Sequence, residues 1–205
     1  MSVKDLLNQL DVSRETQDRL EVFEQVICKW NPKINLVSRS SLGDLWMRHI
    51  IDSIQVYRSV QPVNHWLDIG SGGGFPGVIV GILAADENSG MTTTLIESDQ
   101  RKSAFLRTAA RECGVKIKVI SDRIEKVEPH KADVLSARAL ADLNTLLGFA
   151  DRHLDVDGVA LFPKGVTWKK ELEAARQHWR FDAEPITSLT EPDAVILKVK
   201  GVTLA

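Results

Sequence analysis

The run Trp66-Leu67-Asp68-Ile69-Gly70-Ser71-Gly72-Gly73-Gly74-Phe75-Pro76-Gly77 is where this chain could do chemistry. An apolar segment ends at Asp68-Ile69, and five of the next eight residues are glycine. Glycine lets a ligand press against bare backbone and reaches turn conformations that other residues avoid. Pro76 suits the first turn of a helix, where its missing N–H would be unpaired anyway, so the sequence predicts a helix from Gly77 to about Ala85. The start of that helix would offer free N–H groups to a ligand. Together these features make a nucleotide-type binding loop. A turn without a ligand would leave the glycines unexplained.

Two glycine patterns overlap here. Gly72, Gly74 and Gly77 fit G-x-G-x-x-G, the dinucleotide fingerprint. Asp68, Gly70, Gly72 and Gly74 fit D-x-G-x-G-x-G, which resembles the first motif of S-adenosylmethionine-dependent methyltransferases. The acid at position 68 favours the second pattern. A pyrophosphate gains nothing from a carboxylate at the loop entrance, whereas a ligand carrying an ammonium and a sulfonium is attracted to one. Asp68, Gly70, Gly72 and Gly74 are therefore expected at the cofactor.

The surrounding elements must position this loop. Residues 1–60 read as helical. Ser13 is expected to cap a helix that runs to about Trp30 and ends at Asn31-Pro32. Ser41 is expected to cap a second helix from Leu42 to Val60, on which Arg48 and Asp52 would pair at i, i+4. From residue 65 strands and helices alternate, with strands at 65–69, 92–97, 116–121, 133–137 and 159–163. Two late strands lie near Ile186 and at 194–200. Alternation predicts a mostly parallel sheet covered on both faces. The late pair, joined by little more than Glu191-Pro192-Asp193, should be antiparallel. The first sixty residues form a helical extension packed near the ligand edge, and residues 61–205 form the α/β domain, the two making one unit.

In open α/β sheets ligands bind beyond the carboxyl ends of the strands. The second strand ends at Glu97, placed to accept both ribose hydroxyls of an adenosine, although somewhat further along than the about 20 residues expected in a dinucleotide fold. The third strand end brings Ile124 to the adenine, with Glu125 or Asp122 as acceptors for its amine. Each of these side chains would serve equally in a capped helix start. The fourth end brings Arg138, whose planar guanidinium could fork onto an acceptor base or a carboxylate, or could sit in an interior ion pair. The fifth brings Lys164 to the same edge. Two motifs are absent there: the Asn/Asp-Pro-Pro-aromatic run that resembles exocyclic-amine methylators, and the Pro-Cys pair needed for covalent attack on a pyrimidine.

Composition sets bounds. The chain has 205 residues, 43% of them hydrophobic, and a net charge of −2, so no global basic field points to nucleic acid and any RNA contact must be a local patch. Cys28 and Cys113 form no metal or disulfide spacing, as expected of reduced core residues in a cytoplasmic protein. No stretch has the length and apolarity of a membrane span.

The sequence resembles the bacterial 16S ribosomal RNA methyltransferase G family, also called glucose-inhibited division protein B. The matching pieces are Trp30-Asn31, Asn35-Leu36, Arg48-His49-Ile50-x-Asp52-Ser53, the glycine run 68–77, Glu97-Ser98, Phe105-Leu106, Ser136-x-Arg138-Ala139 and Lys164-Gly165. They cover residues 22–165 in the family's order; the last forty residues add only a strand pattern. The resemblance implies a class I S-adenosylmethionine-dependent methyltransferase fold, Rossmann-like, with a seven-stranded sheet. It implies methylation of N7 of one guanosine in 16S rRNA, within the small ribosomal subunit or its precursor. A cytoplasmic monomer with no membrane partner and no metal is expected. By motif position the resemblance carries cofactor contacts over to Gly70, Phe75, Ile124, Glu125 and Arg138. Arg138 is expected to be the residue on which catalysis depends most. Arg48, His49, Arg101, Arg107 and Lys164 are expected at the RNA, together with Arg39 and a stacking face on Trp30.

The absent motifs agree with this chemistry. Guanine N7 carries an in-plane lone pair, so no proton leaves before attack and neither a cysteine nucleophile nor an obligatory base is required. Two other readings remain open from sequence. A nicotinamide-dependent oxidoreductase would be stabilised by NAD(H), and a non-catalytic nucleotide-binding module would bind the cofactor without methyl transfer.

Overall fold

The computed structural model describes residues 2–205, with the side chain of Arg39 outside that description. Seven strands form one sheet in the order β3-β2-β1-β4-β5-β7-β6: β1 (His65–Ile69), β2 (Thr92–Ile96), β3 (Ile117–Ile120), β4 (Ala132–Ser136), β5 (Leu154–Lys164), β6 (Trp179–Thr187) and β7 (Val195–Leu204). β1 to β5 pair in parallel, and β7 inserts antiparallel between β5 and β6. The chain order reverses beside β1, so the cleft at the carboxyl ends of β1 and β4 is the topological switch point at which such sheets bind ligands.

Alternation along the strands feeds two apolar layers. Leu67 and Ile69 of β1 and Leu135 of β4 face α7 (Leu143–His153) and α8 (Trp168–Ala175). Trp66 and Val134 face the opposite side, packed with Val56, Val80 and Ala84. That second side is covered by α4 (Asp52–Arg58), α5 (Gly77–Glu87) and α6 (Gln100–Glu112). The N-terminal helix α2 (Arg14–Ile34) lies over α5 and α6, where Leu20, Phe23 and Ile27 join Phe105 and Leu106 in one fully buried cluster, and α1 (Val3–Gln9) packs on residues 46–51.

The N-terminal region departs from expectation in three places. α2 continues through Asn31-Pro32 and stops at Asn35, whose backbone is left-handed with φ 49°. Pro32 removes one i to i−4 hydrogen bond in the last turn, and the helix ends two residues later. Asn31 turns its side chain to the chain beyond, accepting from the N–H groups of Leu36 (2.7 Å) and Val37 (2.9 Å). The second helix is broken into pieces: Ser38, not Ser41, caps the short α3 (Arg39–Leu42), and a π-helical turn, Trp46–Ile51, leads into α4. A π turn pairs residues five apart rather than four, so residues at i, i+4 no longer stack. Arg48 and Asp52 accordingly do not pair: Arg48 approaches Asp44 at 3.9 Å, and Asp52 accepts from Ser188 and Thr190.

The fifth strand also begins earlier than expected, at Leu154 directly after α7. This does not alter the ends of the strands at the cleft.

Candidate active site

A cleft of about 810 Å³ opens at the carboxyl ends of the first four strands. It is walled by the glycine loop and by the segments after β2, β3 and β4, and the connection from Leu36 to Ser41 closes its fourth side. Asn31 fixes that connection through the two hydrogen bonds already described.

The glycine loop is built by its own sequence. The N–H groups of Gly70 and Ser71 both donate to the carbonyl of Ile96, at 2.9 and 3.2 Å, tying the loop to the end of β2. Gly72 has φ +50°, and a Cβ added there would meet only a backbone oxygen 3.7 Å away, so the space before it is open. A Cβ on Gly73 would lie 2.9 Å from the carbonyl oxygen of Leu36, which is how closely the N-terminal region approaches the loop.

Glu97 is buried at this edge. One carboxylate oxygen accepts from the N–H of Gly72 and the other from the N–H of Asp99, both at 2.8 Å. Each oxygen retains a lone pair for a ligand donor. Glu97 thus orients the loop from within the cleft wall.

Gly70, Gly72, Phe75, Glu97, Ile124, Glu125 and Arg138 all line the cleft. Asp68 does not. It lies on the Trp66 side of β1, pointing beneath the loop into the α5 layer, and is 1% exposed. Trp66 Nε1 donates to Ser136 Oγ at 2.9 Å, and Ser136 Oγ donates to Asp68 Oδ1 at 2.6 Å. Burial pushes the Asp68 carboxyl up to about 6 against the hydrogen bonds that stabilise its charge. The expectation of a ligand contact is corrected: strand alternation, with Leu67 and Ile69 on one face, places residue 68 on the other. Gly74 is also outside the lining; a Cβ there would lie 2.7 Å from Val78, so its role is to let the loop close on α5.

Arg48 and His49 of the N-terminal region, with Arg138 after β4, complete the wall. His49 stacks on Phe75 with ring centroids 5.0 Å apart. Burial first, then the charges of Arg138 and Arg48, hold the His49 ring down to about 4, so it is neutral at neutral pH. Its Nε2 is buried with no hydrogen-bond partner among the described residues. Arg138 donates from Nη2 to the carbonyl of Arg48 at 2.8 Å, while its Nη1 is buried and equally without a partner. Burial lowers its pKa and the charge of Asp52 opposes the shift. Among the described residues Arg138 is in no ion pair within 4 Å, so the interior ion pair weighed from sequence is not what holds it there.

The expected RNA-facing cations divide. Arg48 is exposed at the mouth of the cleft. Lys164 is spent inside the protein: its Nζ donates to the Ala141 carbonyl at 2.9 Å and to Glu171 at 2.7 Å. Arg107 donates to the Val119 carbonyl and the Ser121 hydroxyl, holding the end of β3 to α6. Arg101 folds back onto Asp99, the cap of its own helix, and lies outside the cleft lining. Trp30 is half-buried with its ring edge to Phe105 and lines a separate groove rather than the cleft. Arg39 lies outside the described side chains. Sequence reasoning missed Lys102 and Arg123, which line the cleft. Lys102 could have been found from its place in the first turn after Asp99, which turns it and not Arg101 toward the loop.

A family model described as rRNA small subunit methyltransferase G matches residues 16–195. Relatives bearing the name "Ribosomal RNA small subunit methyltransferase G" include one from Ruegeria sp. (strain TM1040), 63% identical over 95% of each chain. A second, from Ruegeria pomeroyi, is 61% identical over 96% of each. Among solved structures, a ribosomal protein L11 methylase from Lactobacillus delbrueckii subsp. bulgaricus superposes with TM-score 0.59 at 17% identity, covering 75% of this chain and 78% of that one. An MtNAS variant in complex with S-adenosylmethionine superposes with TM-score 0.56 at 13% identity, covering 98% and 84%. These two likenesses are of fold.

Proposed function

Since the chain belongs to the rRNA small subunit methyltransferase G family, we propose that its cleft performs S-adenosylmethionine-dependent methylation of N7 of one guanosine in 16S rRNA. The observation that carries this reading is the open, positive-φ Gly72 held by the Glu97 carboxylate at the switch point, beside a buried guanidinium nitrogen of Arg138 that has no partner. An adenosyl amino acid matches these groups. Glu97 would accept from the ribose hydroxyls, Ile124 would cover the adenine with Glu125 beside its amine, and Arg138 would take the carboxylate. When bound, S-adenosylmethionine supplies an electrophilic methyl group on a sulfonium.

What the chain must do beyond binding is orient. Guanine N7 needs no deprotonation, so the site needs no general base, and the neutral His49 at the wall is suited to packing rather than proton transfer. Alignment of nucleophile and methyl is worth several orders of magnitude in rate. The wall from Arg48 to His49, stacked on Phe75, is the rigid surface available for it. As charge moves onto the purine, fixed carboxylates near the base stabilise the product side.

The RNA is met by Arg48, Lys102 and Arg123 at the cleft mouth rather than by Arg101, Arg107 or Lys164. With a net charge of −2, binding rests on the shape of the folded small subunit more than on phosphate attraction. No helix among the described residues is long and apolar enough to cross a membrane, and a cytoplasmic monomer fits this work. The test is methyl transfer from labelled cofactor to small and large subunits lacking the modification. Label in the small subunit alone supports the reading; label in neither overturns it.

A further inference from the structure

A second cavity of about 660 Å³ adjoins the first and shares Arg48, His49, Arg138 and Ala139 as the wall between them. Its far side is formed by Asp52 of α4 and by the turn joining β6 to β7. Four acids line this cavity, and Glu191 among them is exposed on the β6–β7 turn. Glu171 is paired with Lys164 at 2.7 Å, and Asp44 lies 3.9 Å from Arg48. Asp52 is different. It makes no ion pair among the described residues, although its charge is felt by Arg138. One of its oxygens accepts from the hydroxyls of Thr190 (2.6 Å) and Ser188 (3.0 Å), while the other makes no hydrogen bond among the described residues. Gln55, one turn on, donates to the Thr187 carbonyl at 2.7 Å and accepts from the N–H of Leu189 at 2.9 Å. The carboxylate is therefore held rigidly by a turn from the far end of the chain.

We infer that this cavity receives the acceptor guanine and that Asp52 reads its Watson–Crick edge. This rests on the methyltransferase reading above. Guanine is the base that presents two adjacent donors, N1–H and the exocyclic amine, matched by a carboxylate that only accepts. The adjoining edge, with O6 and N7, then faces the shared wall, where the unpartnered Nη1 of Arg138 is a donor for O6. In the reaction the N7 lone pair forms the new C–N bond as the methyl–sulfur bond breaks, its electron pair staying on sulfur, and the purine becomes cationic. That charge makes N1–H and the amine stronger donors, so their bonds to Asp52 tighten as the transition state forms. An interaction that strengthens in this way raises kcat rather than merely lowering KM.

The test compares parent and Asp52→Asn on reconstituted small subunits carrying guanosine or inosine at the acceptor position. Inosine keeps N7 and N1–H but lacks the amine. Asparagine retains an oxygen for the Ser188 and Thr190 hydroxyls, and parental affinity for S-adenosylhomocysteine confirms that the cofactor cleft of the variant is intact. The parent should prefer guanosine to inosine by about tenfold or more. Asp52→Asn should lose about ten- to a hundredfold in kcat on guanosine, the effect of a charge-assisted hydrogen bond, and its preference for guanosine over inosine should collapse. Unchanged discrimination in a variant with normal cofactor affinity overturns the role of Asp52. Failure of the parent to methylate guanosine subunits at all overturns instead the reading on which it rests.

Discussion

Asp68→Asn tests the account of the support beneath the loop. Asp68 is 1% exposed, and burial pushes its carboxyl from 3.8 up to about 6. A carboxyl whose pKa is higher folded than unfolded holds its proton more tightly in the native state. Its contribution to stability is therefore full below the unfolded value and is lost as pH rises through about 6. The interval is about 2 pH units at about 1.4 kcal/mol each, or about 3 kcal/mol. Asparagine does not titrate, and its carbonyl can still accept from the Ser136 hydroxyl that bonds Asp68 at 2.6 Å. The stability of Asp68→Asn minus that of the parent should rise by about 3 kcal/mol between about pH 4 and about pH 7, whatever constant offset the substitution adds. Urea unfolding of both proteins across that range gives the difference, and histidines that titrate in the same window cancel in it. A difference that stays flat to within about 0.5 kcal/mol would mean that Asp68 titrates normally, and the buried placement would be wrong.

Other substitutions probe the cleft itself. Gly72→Val places a side chain in the open space before the loop and forces a branched residue to positive φ, so affinity for S-adenosylhomocysteine should fall by about tenfold or more; calorimetry showing parental affinity in the folded variant would refute the placement. Glu97→Ala removes an acceptor shared by loop and ligand and should weaken the same binding by about 1.5–3 kcal/mol. If it binds as the parent does, Glu97 serves the loop alone. Arg138→Ala should lower methyl transfer by about a hundredfold through lost orientation, and Arg138→Lys should not restore it, because a point charge cannot reproduce the fork. A raised dissociation constant for S-adenosylhomocysteine without RNA assigns the guanidinium to the cofactor, and an unchanged one assigns it to the base.

The sequence carried the parts whose rules are local. Alternation of strands and helices and the glycine run with Pro76 placed β1, its loop and α5 nearly to the residue, and strand ends located Glu97, Ile124 and Arg138 at one cleft. The misplacements have physical reasons. Asp68 was assigned to the ligand from its charge, while the period of two in β1 already turned it beneath the loop. The helix expected over 42–60 is interrupted by a π turn that carries His49, stacked on Phe75 in a contact no local propensity encodes. Lys164 read as a free cation because its partners, Ala141 and Glu171, meet it only through the fold. The role of the β6–β7 turn, which fastens Asp52 from more than a hundred residues away in sequence, was invisible for the same reason.

The central claim is the identity of the methylated atom. Small subunits from a strain lacking the enzyme, incubated with the purified protein and labelled S-adenosylmethionine, can be treated to break the chain at 7-methylguanosine and the break then read by primer extension. The account predicts one new break in 16S rRNA, at a single guanosine, with label in that nucleotide. Label at an exocyclic amine, at a pyrimidine or spread over many positions would contradict it.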